Sequence, residues 1–149
     1  EYMMSGQVIA ILSLALTAAL CGVGSALGLF KTGSAAAGVL SEDPKKFSKV
    51  LVLVVLPATQ GIYGFVFGII GLGSVAIDMT VAAGLKVLMA SLPMMVTGLI
   101  TAIFQGLTSV ACINTIAKQD SLSGKLILFP AMVETYAILG LVVSILLIA

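Results

Sequence analysis

The chain has 149 residues, of which 60% are hydrophobic and only 9% charged, and its mean hydropathy is +1.27. A soluble domain carries about 25% charged residues, so this chain has too few to cover a water-facing surface, and most of its surface is expected to face lipid. The net charge of +1 comes from lysines alone, with no arginine or histidine: that excludes a phosphate-binding stripe and a nucleic-acid partner, and with only two cysteines it excludes a transition-metal centre.

The charges divide the chain into four apolar runs. The first extends from Tyr2 to Phe30, and small residues continue beyond Lys31 to about Leu40. It lacks a basic region ahead of it and is longer than the core of a signal peptide, so it is expected to be a retained span. The polar stretch Ser41-Glu42-Asp43-Pro44-Lys45-Lys46 follows, within a first loop at about 41–48. Val50 to Ile77 forms the second run, and Asp78 and Lys86 bracket a short connection. Val87 to Ala117 is the third run, Lys118 to Lys125 the next loop, and Leu126 to Ala149 the last run, with Glu134 as its single charge. Each run exceeds the roughly 20 residues that cross a bilayer as a helix. An open strand leaves its backbone unpaired in lipid, so helix is the assignment throughout. Cys21 and Cys112 lie inside apolar runs and are taken as small packing residues.

The fold expected is therefore an all-α membrane protein of four transmembrane helices, arranged as two duplicated hairpins over residues 1–75 and 76–149. Lys45, Lys46, Lys49, Lys118 and Lys125 cluster at the first and third loops, whereas the second loop has Lys86 beside Asp78. The positive-inside rule then places loops one and three in the cytoplasm of a multi-pass cell-membrane protein, with both termini on the opposite side. An offset of 74 residues brings Gly24 onto Gly98, Phe30 onto Phe104, Ser34 onto Thr108, Ala37 onto Ala111 and Gln60 onto Glu134. Loops, spans and midspan polar residues fall in register together, which is the pattern of a duplication. Gly24 and Gly28, and Gly98, Ala102 and Gly106, are small residues four apart that let helix backbones approach closely. That spacing suits either pairing inside one bundle or an inner ring built from helices one and three of many copies.

Glu134 is the residue that most needs an explanation. A carboxylate at the bilayer centre costs about 3 kcal/mol on insertion scales, and no lysine within the spans stands beside it. A proton or a bound cation must neutralise it. Gln60 lies 11 residues after Lys49, Gln105 lies 13 before Lys118, and Glu134 lies 9 after Lys125. At 1.5 Å per residue all three are roughly 14–20 Å from the lysine-rich loops, on three different helices. Leu56, Thr59, Gln60 and Tyr63 share one helix face, at i, i+3, i+4 and i+7. Pro57 removes an N–H, frees the carbonyl of Leu53 and disturbs the backbone, which exposes carbonyl oxygen as a ligand. A proton carrier needs one carboxyl and a hydrogen-bond partner, whereas Na+ needs several oxygens. The surplus of oxygens favours Na+, with H+ as the alternative.

Three segments carry a family resemblance: Leu56-Pro57-Ala58-Thr59-Gln60-Gly61-Ile62-Tyr63-Gly64-Phe65, Phe104-Gln105-Gly106, and Ala131-Met132-Val133-Glu134-Thr135-Tyr136-Ala137-Ile138-Leu139-Gly140. With them the chain resembles, over essentially its whole length, the proteolipid K subunits of V-type and A-type rotary ATPases, and especially the sodium-translocating bacterial type. The resemblance implies a rotor ring of identical subunits turning against a stator membrane subunit that supplies a basic residue. A central-stalk subunit is expected at the cytoplasmic loops, and lipid around the ring. It also implies a Na+ site made of the Glu134 carboxylate, side-chain oxygens of Thr59, Gln60 and Gln105 and the carbonyl of Leu56, with Tyr63 bonded to the carboxylate. Ala58 is the one departure, at a glycine position of close relatives, and both residues are small.

No Gly-x4-Gly-Lys-Ser/Thr phosphate loop occurs. The chain is expected to be a non-catalytic subunit, with ATP chemistry in other chains. Two other classes compete with the rotor: a small transporter or channel working as a monomer or dimer, and a purely structural four-span protein, which leaves Glu134 unexplained.

Overall fold

The computed structural model describes residues 5–149; the start of the first hairpin, residues 1–4, lies outside them. Four helical spans follow one another: α1 (Gly6–Glu42), α2 (Pro44–Leu72), α3 (Val81–Lys118) and α4 (Asp120–Ile148). All four are long and apolar enough to cross a membrane. No strand occurs among the described residues, as expected where the backbone must satisfy itself within lipid.

The connections are set by local chemistry. α1 stops at Asp43, whose extended backbone is what the residue before a proline adopts. The Asp43 carboxylate accepts from the N–H of Lys45 at 3.1 Å, and Pro44 fills the first position of the next helix, where no N–H is required. The first loop is thus tighter than the expected 41–48: Ser41 and Glu42 end α1, and helical structure resumes at Pro44. The third connection is comparably short, turning at Gln119. The second is the longest. Thr80 caps α3 by accepting from the N–H of Ala83 at 3.2 Å. Lys86, expected at the edge of this connection, lies inside α3.

α1 and α3 form the central pair, with α2 packed on α1 and α4 on α3. The close approach depends on glycine. A Cβ added at Gly24 would come within 2.6 Å of the Leu99 carbonyl oxygen, one at Gly28 within 2.6 Å of the Ala102 carbonyl oxygen, and one at Gly106 within 2.6 Å of the Gly28 Cα. Backbone therefore lies on backbone, the packing that small residues allow between membrane helices.

Two apolar clusters fill the interior. One contains Leu14, Cys21, Phe67, Met94 and Ile148; the other, nearer the short loops, contains Val39, Val50, Leu53, Ile113 and Ile116. Between them lies a polar layer at the level of Gln60 and Gln105, both with no exposed surface. Most remaining large apolar side chains point outward, among them Phe65, Ile69, Phe104, Leu139 and Leu146. On a water-soluble protein such a surface would aggregate. On a multi-pass membrane protein it is the surface that meets hydrocarbon.

Candidate ion-binding site

Pro57 interrupts α2. The helix runs regularly to Val55, tightens into one 3-10 turn over Leu56–Ala58, and resumes at Thr59. A proline withholds an N–H and crowds the preceding turn, and a tighter turn is a common outcome. The turn places the Leu56 carbonyl beside the Thr59 side chain, which donates to it at 3.0 Å. The expected carbonyl of Leu53 is not the one with a new side-chain partner. That partner goes to Val54, whose carbonyl oxygen accepts from Thr32 Oγ1 of α1 at 2.8 Å.

From this turn a single chain of hydrogen bonds crosses three helices. Thr59 Oγ1 also lies 3.2 Å from Gln60 Oε1. Gln60 Nε2 donates to Gln105 Oε1 on α3 at 2.7 Å. Gln105 Nε2 in turn donates to Glu134 Oε2 on α4 at 3.1 Å and to the Pro130 carbonyl at 3.0 Å. The other carboxylate oxygen, Oε1, accepts from Tyr63 Oη of α2 at 2.7 Å. All six residues singled out from the sequence, Leu56, Thr59, Gln60, Tyr63, Gln105 and Glu134, are therefore brought into one network.

Both oxygens of Glu134 accept from neutral donors, and no lysine reaches it. The one ion pair among the described residues, Lys49–Asp120, lies at the loop end. There the Lys49 ammonium beside Asp120 holds its carboxyl below the usual carboxylate value. The amide groups give the network a useful chemistry. Each glutamine carries two donors and an oxygen on one rotor, so turning the Gln60 amide replaces a donor by an acceptor. Leu56, Thr59, Gln60, Gln105 and Glu134 together place five oxygen-bearing groups in the one network, and oxygen is the donor a hard cation requires.

Several contacts were not foreseen. Pro130, one turn before Glu134, gives Gln105 its carbonyl. Four residues earlier, the carbonyl of Leu126 faces the proline ring instead of an N–H and accepts from the Cys112 thiol at 3.5 Å. Cys21 similarly donates to the Met94 carbonyl at 3.4 Å. Both cysteines are buried and free, and they do more than fill space. On α1, Ser25 and Thr32 both bond to the interrupted stretch of α2. Their spacing with Gly28, at i, i+3 and i+7, is the signal that marked the α2 face and was equally present here.

The chain belongs to the ATP synthase C-subunit family, whose model matches it twice, over residues 12–71 and again over 88–147. That double match makes the duplicated hairpin plain. The second matched segment begins and ends 76 residues after the first (88 against 12, 147 against 71), beside the 74 that separates Gln60 from Glu134. Among its relatives is the V-type sodium ATPase subunit K of Enterococcus hirae, 46% identical over 143 residues that cover 96% of this chain and 92% of the relative. The A-type ATP synthase subunit K of Methanocaldococcus jannaschii is 38% identical over 135 residues, covering 89% of this chain and 58% of the relative.

Proposed function

We propose that this chain is the membrane rotor subunit of a V-type ATPase and carries Na+ across the bilayer by reversible binding at Glu134. The observation that carries this reading is the oxygen-rich network ending on a single intramembrane carboxylate. The relation to a subunit named for a sodium ATPase supports the choice of ion. Thr59, Gln60, Gln105, Glu134 and the Leu56 carbonyl are the Na+ ligands in this account, and Tyr63 holds the carboxylate in place.

The mechanism follows from the cost of charge in hydrocarbon. With Na+ bound, the site is neutral and can pass through the lipid-facing arc of a ring of identical copies. Without it, Glu134 is charged and stays at the interface with a stator subunit, whose basic group displaces the ion and holds the carboxylate until the next ion arrives. Two half-channels at that interface separate loading from release. The subunit performs no ATP chemistry and receives torque through a central stalk at loops one and three, which lie in the cytoplasm in this account.

Carbodiimide labelling of the purified protein near neutral pH tests the reading directly, since the reagent attacks a protonated buried carboxyl. Glu134 is expected to be labelled, and millimolar Na+ to protect it while K+ does not. If labelling responds to pH but not to Na+, the carrier is a proton site and the surrounding oxygens are packing.

A further inference from the structure

We propose that Ser25 and Thr32 of α1 are positioning residues for the ion site, holding open the interrupted turn of α2 that presents the Leu56 carbonyl, Thr59 and Gln60. The proposal rests on the sodium reading above and adds what sets the geometry of that site.

A regular helix would pair the Val54 carbonyl with the N–H of Ala58, and the Pro57 carbonyl with the N–H of Gly61. In the tight turn the Thr59 N–H donates to the Leu56 carbonyl, the Val54 carbonyl accepts from Thr32 Oγ1 at 2.8 Å, and the Gly61 N–H donates to Ser25 Oγ at 2.8 Å. The two hydroxyl bonds grip the backbone on either side of the tight turn Leu56–Ala58. Thr32 has no exposed surface and Ser25 only 6%, so water cannot take over either role. Gly28 lies between them on the same face of α1. A Cβ there would come within 2.6 Å of the Pro57 Cβ, so the glycine leaves room for the proline ring. α1 thus forms a cradle with a hydroxyl at each end and a gap in the middle.

Proline alone does not specify this arrangement. It removes one N–H, and the chain around it is free to kink, to tighten or to recover helical pairing further along. The two hydroxyls decide the outcome by supplying the partners that the tightened turn leaves over, in a place where unpaired polar groups are costly. Without them the backbone relaxes toward regular helix, and the Leu56 carbonyl turns away from Thr59 and Gln60. Na+ binding depends on that carbonyl and on those side chains. The Glu134 carboxyl is held by Tyr63 and Gln105, which lie outside the tight turn.

The test is Ser25→Ala combined with Thr32→Val in the assembled protein, read as the Na+ concentration that half-protects Glu134 from carbodiimide. The double variant is expected to need about tenfold more Na+, with its labelling rate in sodium-free buffer unchanged. Each single variant is expected to need about threefold more, a fraction of one decade. Ser25→Thr and Thr32→Ser, which keep the hydroxyls, are expected to restore the original midpoint. Thr17→Val serves as the control: Thr17 is equally buried on α1 but bonds only within its own helix, to the Ser13 carbonyl. Should the double variant fail to assemble, the single variants and their conservative counterparts decide the matter. A Na+ midpoint within twofold of the unsubstituted protein in the variants, or an equal shift in Thr17→Val, overturns the proposal. Absence of Na+ protection in the unsubstituted protein overturns the sodium reading, and this proposal with it.

Discussion

Glu134 and Tyr63 bring the function down to single atoms. Glu134 has two neutral donors and no cation, so its charge is balanced only when something arrives from outside the chain. Glu134→Gln keeps the size and the capacity to accept from Tyr63 but cannot carry a cation. It is expected to abolish both carbodiimide labelling and ATP-driven Na+ uptake in reconstituted vesicles, while the protein still assembles. Continued Na+ uptake by that variant would show that the ion travels elsewhere. Tyr63→Phe removes one donor from the carboxylate. A hydrogen bond to a charged group contributes about 1.5–3 kcal/mol. A loss of Na+ affinity of about tenfold or more is therefore expected from labelling protection, without loss of assembly. Gln105 is less replaceable, because one side chain serves Gln60, the Pro130 carbonyl and Glu134 together.

Among the helices, α1 and α3 act as the frame, and α2 and α4 carry the site together with Gln105 of α3. The frame depends on backbone contact, so bulk at its glycines must be destructive. Gly106→Leu drives a side chain into the Gly28 backbone. Overpacking of this kind costs about 1–3 kcal/mol even in an adaptable core, and backbone adapts less than side chains. The expected result is loss of the assembled protein on size-exclusion chromatography in mild detergent. The loop end is held differently. Lys46 Nζ donates to the Ala117 carbonyl at 2.6 Å, occupying one of the free carbonyls at the end of α3. Lys49 pairs with Asp120 next to it, with both side chains about half exposed. Such pairs contribute little and are screened by salt. Lys49→Ala should lower thermal stability slightly at low ionic strength and not at all at high salt. The pH dependence has a definite sign. The Asp120 carboxyl is held below its ordinary value of 3.8, so the pair's contribution is complete above 3.8 and disappears as pH falls through the lowered value. Melting in low salt at neutral and at strongly acidic pH, with and without Lys49→Ala, checks this.

For the molecule as a whole, the decisive asymmetry is between its two halves. The first hairpin carries Gln60 where the second carries Glu134, so four helices hold one carboxylate and one candidate site. At a fixed number of helices, a ring of such chains carries half as many ions per turn as a ring with a carboxylate in every hairpin. Each ion can then be driven against a steeper gradient, which suits a pump better than a synthase. The ion-to-ATP ratio of the intact complex measures this, and a ratio matching one ion per hairpin would contradict it. Gln60, though uncharged, has a purpose: it joins the α2 turn to Gln105, and through it to Glu134.

Much of this was legible in the amino-acid order because the bilayer permits few solutions. Scarcity of charge, four apolar runs of spanning length and the lysine-marked loops determined the number and class of helices, since only helices satisfy their backbone in hydrocarbon. A lone carboxylate in the fourth run, with Gln60 and Gln105 at matching depth and Thr59 beside Gln60 on one helix face, marked the polar layer, because polar groups in a membrane interior are too costly to be incidental. The tertiary structure decided which atoms meet. Depth along a helix says nothing of rotation about its axis or of which neighbour lies beside it, so the Gln60–Gln105–Glu134 connection could not be read from spacing. The proline marked a disturbance in α2 but not its form. Which backbone groups around the turn find new partners, the Val54 carbonyl and the Gly61 N–H, depends on Thr32 and Ser25 standing opposite, on a helix some thirty residues earlier in the chain. Only the packing of α1 against α2 brings them there.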